Sequence, residues 1–152
     1  MAEVPDVVQF TPAAGGFYAR LQGKLGVSGI RSDRDLVALV ENRLPANAVK
    51  SLVRSGLCEA EVYQLIVPRR TLAHRIAKHE PLSKEESDKA VRVARIASLA
   101  EQTFGEQERA WRWMRKPKRR FSGRTPLELL ATEAGARLVE EMLTQIDDGL
   151  AA

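Results

Sequence analysis

Cysteine is almost absent from this chain of 152 residues, with Cys58 standing alone. One thiol closes no internal disulfide and offers no multi-cysteine metal site. Histidine is nearly as scarce. On a helix, His74 and His79 would diverge by about 140°, so they do not read as a ligand pair, and neither a metal nor a cofactor is expected. No apolar run approaches the roughly eighteen residues that a membrane span needs. The opening MAEVPDVVQFTP has neither a basic n-region nor an apolar h-region, so no secretory signal is read and a cytoplasmic location is expected. Alternating β-branched residues never run for four or more positions. Also missing are a glycine-rich phosphate loop, a nucleophile spaced to meet a base, and paired carboxylates flanking a pocket-like motif. These absences point away from an enzyme.

What is present is an ordinary globular composition, 44% hydrophobic and 29% charged, with charge distributed unevenly. Arg69, Arg70, His74, Arg75, Lys78 and His79 share one window that holds no acid. RWMRKPKRRFSGRTP, residues 112–126, carries seven basic side chains and again no acid. From Pro126 onward the balance reverses, with Glu128, Glu133, Glu140, Glu141, Asp147 and Asp148 facing only Arg137. Such asymmetry suits two different partners.

Residues 1–28 hold Pro5, Pro12, Gly15, Gly16, Gly23 and Gly26 without sustained periodicity. They read as an N-terminal arm, with at most a short helical turn near Phe17 to Leu25. From Ser32 onward the pattern is helical and the expected fold is all-α. Ser32 with Asp35, and Ser83 with Glu86, fit capping boxes. Pro45 can open a helix that stops at Gly56. Short helices are expected from Glu59 to Ile66 and from Pro68 to about His79, and a long one runs to about Phe104 before Gly105. Another spans 106–115. Beyond the basic loop, Thr125-Pro126 signals a helix start and a last helix covers about Glu133 to Ile146. Gly135 within that helix costs about 1 kcal/mol against alanine, so a close backbone approach is expected there.

EAEVYQLI and PRRTLAHRIAKH, two short helices with a tight break, have the lengths of a helix-turn-helix. On the second, Leu72 and Ile76 turn inward at 100° per residue. Arg70, Thr71, His74 and Lys78 gather opposite, with Arg75 at their edge. Arginine, lysine and threonine so placed can bond phosphates or guanine edges. With Arg69 they form the candidate DNA-binding set; a plain solvated basic face is the alternative.

The basic loop sits in a distinctive string. Phe104, Gly105, Ala110, Trp113, Met114, Pro117, Phe121, Gly123, Thr125, Pro126, Leu127, Leu129, Leu130, Thr132, Glu133, Gly135, Ala136 and Val139 together resemble the C-terminal domain of Xre/MbcA/ParS-type antitoxins. SDRDL, RTL and PLSKEESDKAVRVAR match that family's central region, so the likeness covers about residues 30–150. It departs at Arg43, where the family usually carries glycine, and at Met114, commonly leucine.

The resemblance implies a type II antitoxin. Residues 29–103 would form a helix-turn-helix unit that dimerises and binds operator DNA. Residues 104–152 would bind and block a RES-domain toxin that consumes NAD, within a higher toxin–antitoxin assembly. Trp113, Arg115, Lys116, Phe121, Gly123, Arg124, Glu133, Arg137, Glu140, Asp148, Gly149 and Leu150 are the expected toxin-facing residues. Trp111 and Trp113 cannot face the same way on one helix, and the family match favours Trp113 as the packed one. A stand-alone helix-turn-helix regulator with a ligand-sensing or dimerising C-terminal domain remains the competing reading.

Overall fold

The computed structural model of the chain describes residues 13–149, and within them regular structure is entirely helical. In chain order the helices are α1 (Ala13–Leu25), α2 (Asp33–Glu41), α3 (Asn47–Arg54), α4 (Glu59–Leu65) and α5 (Arg69–Ala77). There follow α6 (Lys84–Phe104), α7 (Gln107–Met114), a 3-10 turn at Arg119–Phe121, α8 (Pro126–Leu129) and α9 (Glu133–Asp147).

Local chemistry sets most of these boundaries. The Ser32 hydroxyl accepts from Asp35 N–H at the start of α2, while the Asp35 carboxylate reaches back one residue further than a standard box, to Arg31 N–H at 2.9 Å. Ser83 and Glu86 form a complete capping box at α6, and Thr125 and Glu128 form another at α8. Each box satisfies backbone donors that a helix N-terminus would otherwise leave free. Gly105 closes α6 at φ 85°, the left-handed geometry that glycine adopts without a Cβ penalty.

Helix α6 is the mast of the molecule and packs against α1, α2, α7 and α9. Its buried face is rich in small residues (Ala90, Ala94, Ala97 and Ala100), interleaved with Val93 and Ile96. Small side chains let four neighbours approach one axis closely. A single hydrophobic cluster therefore runs from Leu21 of α1 to Leu143 of α9. Gly135 shows the same economy of space: a Cβ there would fall 2.0 Å from the Leu129 carbonyl oxygen. The start of α9 is seated directly on the end of α8, which accounts for glycine at that point.

The N-terminal segment corrects one expectation. In place of a loose arm over residues 1–28, residues 13–25 form a full helix with Leu21 and Leu25 buried in the core. Lys24 is itself buried and its ammonium meets the Glu101 carboxylate at 2.5 Å, with Arg20 on the other oxygen at 3.4 Å. Gly16 and Gly23 lower intrinsic helicity, but packing of an apolar stripe outweighs propensity. The remainder of the expected arm, residues 1–12, lies outside the described residues.

Arg43 occupies a left-handed conformation at φ 65°, a backbone state that explains why glycine suits this position in the family. The side chain compensates: its Nε donates to the Leu82 carbonyl at 2.8 Å and Nη2 to that of Pro81 at 3.3 Å. The arginine thereby ties the α2–α3 link to the α5–α6 link.

Candidate functional site

Helices α4 and α5 meet across Ile66, Val67 and Pro68, and the buried Val67 fixes this turn by donating to the Val62 carbonyl at 3.1 Å. Pro68 caps α5 in an extended conformation with no side-chain acceptor, so the first-turn N–H groups of α5 receive no cap from it. Leu72 faces the core and Ile76 is half-buried against it. Arg69, Arg70, His74 and Lys78 stand exposed, with Thr71 half-exposed among them. Among the described residues none of the four exposed side chains pairs with a carboxylate, leaving an open cationic face on a two-sided helix.

Arg75 is not part of that face. Its guanidinium is held by Glu86 at 2.7 and 3.1 Å and approaches Glu80 at 3.6 Å. Burial works against ionisation of Glu86, but the Arg75 bonds and the Ser83 N–H outweigh it and keep the carboxyl below its ordinary range. Arg75 thus fixes the second helix of the pair against the start of α6.

The C-terminal residues divide into an engaged group and a free group. Glu133 lies 3.2 Å from Arg92 and 3.9 Å from Arg95, and Glu140 lies 2.9 Å from Arg95. These carboxylates lace α9 onto α6. Arg115 is engaged more firmly. Its Nε and Nη2 each donate to the Glu61 carboxylate at 2.8 Å, and Nη2 also meets the Gly56 carbonyl at 2.7 Å. Burial raises the Glu61 pKa, but the Arg115 bonds and charge and the Cys58 N–H together outweigh it, so the carboxyl sits below its usual range.

The two tryptophans are sorted oppositely to expectation. Trp111 is the packed one, 4% exposed, with its indole N–H donating to the Ser55 carbonyl at 2.7 Å. It fills the space that a side chain at Gly56 would occupy. Trp113 is only partly buried, stacked between Phe104 at 5.4 Å and the Lys118 ammonium at 4.7 Å. The Arg115 guanidinium lies over the Trp111 ring at 5.1 Å, so both side chains serve the junction with α3 and α4.

The basic loop is held rigidly. Lys118 N–H donates to the Arg124 carbonyl at 3.0 Å, and Gly123 N–H returns to the Lys118 carbonyl at 2.9 Å. Ser122 and Gly123 take left-handed φ values of 56° and 85° to close the turn, with Phe121 tucked against the core. Burial, then repulsion from Lys116, pushes the Lys118 pKa down. Lys116, Arg119, Arg120 and Arg124 project outward, and Arg120 donates to the Gln145 side-chain oxygen at 2.8 Å. On α9, Arg137 and Leu138 are exposed, as are Asp148 and Gly149 just past it; Leu150 lies outside the described residues.

Comparison with known proteins addresses both ends of this arrangement. Residues 35–95 match the antitoxin Xre-like helix-turn-helix domain, and residues 99–149 match the antitoxin Xre/MbcA/ParS C-terminal toxin-binding domain. An antitoxin Xre of Pseudomonas putida is 40% identical over 133 residues, covering 88% of this chain and 84% of that protein. An antitoxin Xre of Photorhabdus laumondii is 29% identical over 118 residues, covering 76% and 80%. A Prs ADP-ribosylating antitoxin of Sphingobium is 25% identical over 126 residues, covering 76% and 79%. No helix among the described residues is long and apolar enough to cross a membrane.

Proposed function

Since the chain belongs to the Xre antitoxin family, a helix-turn-helix domain joined to a toxin-binding domain, we propose that it silences a RES-domain, NAD-consuming toxin and represses its own operon. In this reading it acts in the cytoplasm as a homodimer on operator DNA, with no catalysis of its own. Residues 29–103 read DNA and dimerise, residues 104–152 hold the toxin, and α6 gives rigidity to both.

The observation that carries the reading is the pairing of two free charged surfaces on one rigid core. The α5 face offers Arg69, Arg70, Thr71, His74 and Lys78, a set suited to phosphates and base edges. The C-terminal unit offers the exposed cations Lys116, Arg119, Arg120 and Arg124 beside the acidic end of α9. Opposite charges side by side favour a complementary protein surface over a polyanion. Arg115, Glu133 and Glu140 act in this reading by shaping the surface from within.

Two assays test the two halves. The product of the neighbouring gene, purified and given NAD, should consume it, and added chain should stop consumption at stoichiometric ratios. Unabated consumption in a stable complex would exclude inhibition. For the operator, Arg70→Ala with Lys78→Ala should weaken binding to the chain's own promoter and reduce its salt dependence by about one unit per lost contact. An unchanged slope would remove α5 from the interface.

A further inference from the structure

The free cations of the DNA-reading region do not end at α5. Arg69 lies on the side of α5 turned toward α3, about 100° from Arg70. It lines one wall of a shallow groove whose other wall carries Lys50 and Arg54 of α3. The floor is apolar, made by Val49, Val62 and Leu72. Lys50 and Arg54 are four residues apart, so they stand one above the other on a single helix face. Both are exposed. Arg54 is oriented by donating to the Ser51 hydroxyl at 3.1 Å.

Three cations around one groove repel one another, and the protein leaves that repulsion uncompensated. Among the described residues none of the three pairs with a carboxylate, and Glu59, which also lines the groove, stands beyond ion-pair distance of all of them. Arg75, by contrast, is fully engaged by its glutamates. The fold thus withdraws one expected cation from the α5 surface and presents two others from α3. Stacked cations one helical turn apart, beside a helix suited to the major groove, match the repeating charge of a sugar–phosphate backbone. Standing on α3, beside and not on the helix suited to enter the groove, they are placed for phosphates and not for base edges.

We propose that Lys50 and Arg54 grip the DNA backbone flanking the groove that α5 reads, adding affinity without sequence preference. This rests on the operator-binding reading of α5. The test is a fluorescence-anisotropy titration of the full chain on its own promoter DNA and on a scrambled duplex, between roughly 50 and 200 mM salt. Lys50→Gln with Arg54→Gln should lower the logarithmic salt slope by about two. Affinity should fall on the order of ten- to a hundredfold near 0.1 M salt, with the promoter-to-scrambled ratio unchanged. The charge-keeping pair, Lys50→Arg with Arg54→Lys, should retain the parent slope. Both side chains are exposed, so melting temperatures should match the parent.

An unchanged slope in the Gln pair, while Arg70→Ala with Lys78→Ala lowers it, would overturn the α3 contact and leave the α5 reading standing. A parent chain that does not bind its promoter would overturn both. Loss of binding to the neighbouring gene's product at an unchanged DNA slope would assign the α3 cations to a protein partner and end the proposal.

Discussion

Arg115 at the end of α7 and Glu61 in α4, 54 positions apart in sequence, meet through two hydrogen bonds of 2.8 Å each. Glu61 does a second job at the same time, accepting from Cys58 N–H at 2.9 Å as the far half of the α4 capping box. Glu86 repeats the device at α6, where it caps the helix and holds Arg75. In both cases a carboxylate fixed by a helix start becomes the anchor for a distant arginine. One anchor secures α7 to the helix-turn-helix, and the other secures α5 to the mast.

Removing Arg115 should therefore cost more than an exposed ion pair does. Arg115→Ala leaves a partly buried Glu61 unpaired and strips a donor from the Gly56 carbonyl. We expect a loss of about 1–3 kcal/mol, discounted from the fully buried case because about a third of Arg115 is exposed. In a chain of this size that corresponds to a fall in melting temperature of roughly 2–10 °C. Circular dichroism melts check this, and a shift below about 1 °C would show the clamp to be ornamental.

The same two glutamates set a pH dependence. Each has a folded pKa below its unfolded value, so the unfolded chain binds more protons through the carboxylate range. Their contribution to stability is present above an ordinary carboxyl pKa of about 4.3 and is lost as pH falls through the depressed folded values. Urea midpoints should decline from about pH 6 toward pH 3, while Glu61→Gln with Glu86→Gln should flatten that decline. A variant profile parallel to the parent's would assign the acid sensitivity elsewhere.

Two glycines should respond to alanine in opposite directions. Gly135→Ala places a methyl against the Leu129 carbonyl, forcing α8 and α9 apart, and should destabilise by about 2 kcal/mol or more. Gly23 lies inside α1, and a methyl added there would meet nothing within 4 Å. At that position alanine reduces the freedom of the unfolded chain and should stabilise by about 0.4–1 kcal/mol. Equal effects at the two sites would contradict the packing described for α9.

What could be read from the sequence is what neighbours in sequence decide. The Ser83–Glu86 box, the Thr125-Pro126 helix start, the Gly105 stop and the crowding at Gly135 each depend on residues within a few positions. The fold class and the helix order followed from them. Helix α1 was legible only as a short turn near Phe17 to Leu25, because its full length is secured by packing on α6, far along the chain, with Lys24 meeting Glu101 there, and not by its glycine-containing sequence. Trp111 and Trp113 could be recognised as facing apart, but only the Ser55 carbonyl and the gap at Gly56 choose which is buried. Arg115, Glu133 and Glu140 had the composition of a binding surface, yet each finds an oppositely charged partner on a helix remote in sequence. Lys50 and Arg54 are ordinary surface charge in the sequence and become part of a three-cation groove only once α5 brings Arg69 beside them.

Silencing of the neighbouring gene's product through the basic loop of the C-terminal unit is the central claim. The most direct measurement is growth of cells expressing that neighbour alone, with the full chain, and with a chain in which Lys116, Arg119, Arg120 and Arg124 are all replaced by serine. These four side chains are exposed, and among the described residues none forms an ion pair, Arg120 donating to the Gln145 amide oxygen at 2.8 Å, so the variant should fold and still bind promoter DNA. Arrested growth, rescued by the parent and not by the serine variant, is the predicted result. Rescue equal to the parent's would contradict the assigned surface, and a harmless neighbour would contradict the claim itself.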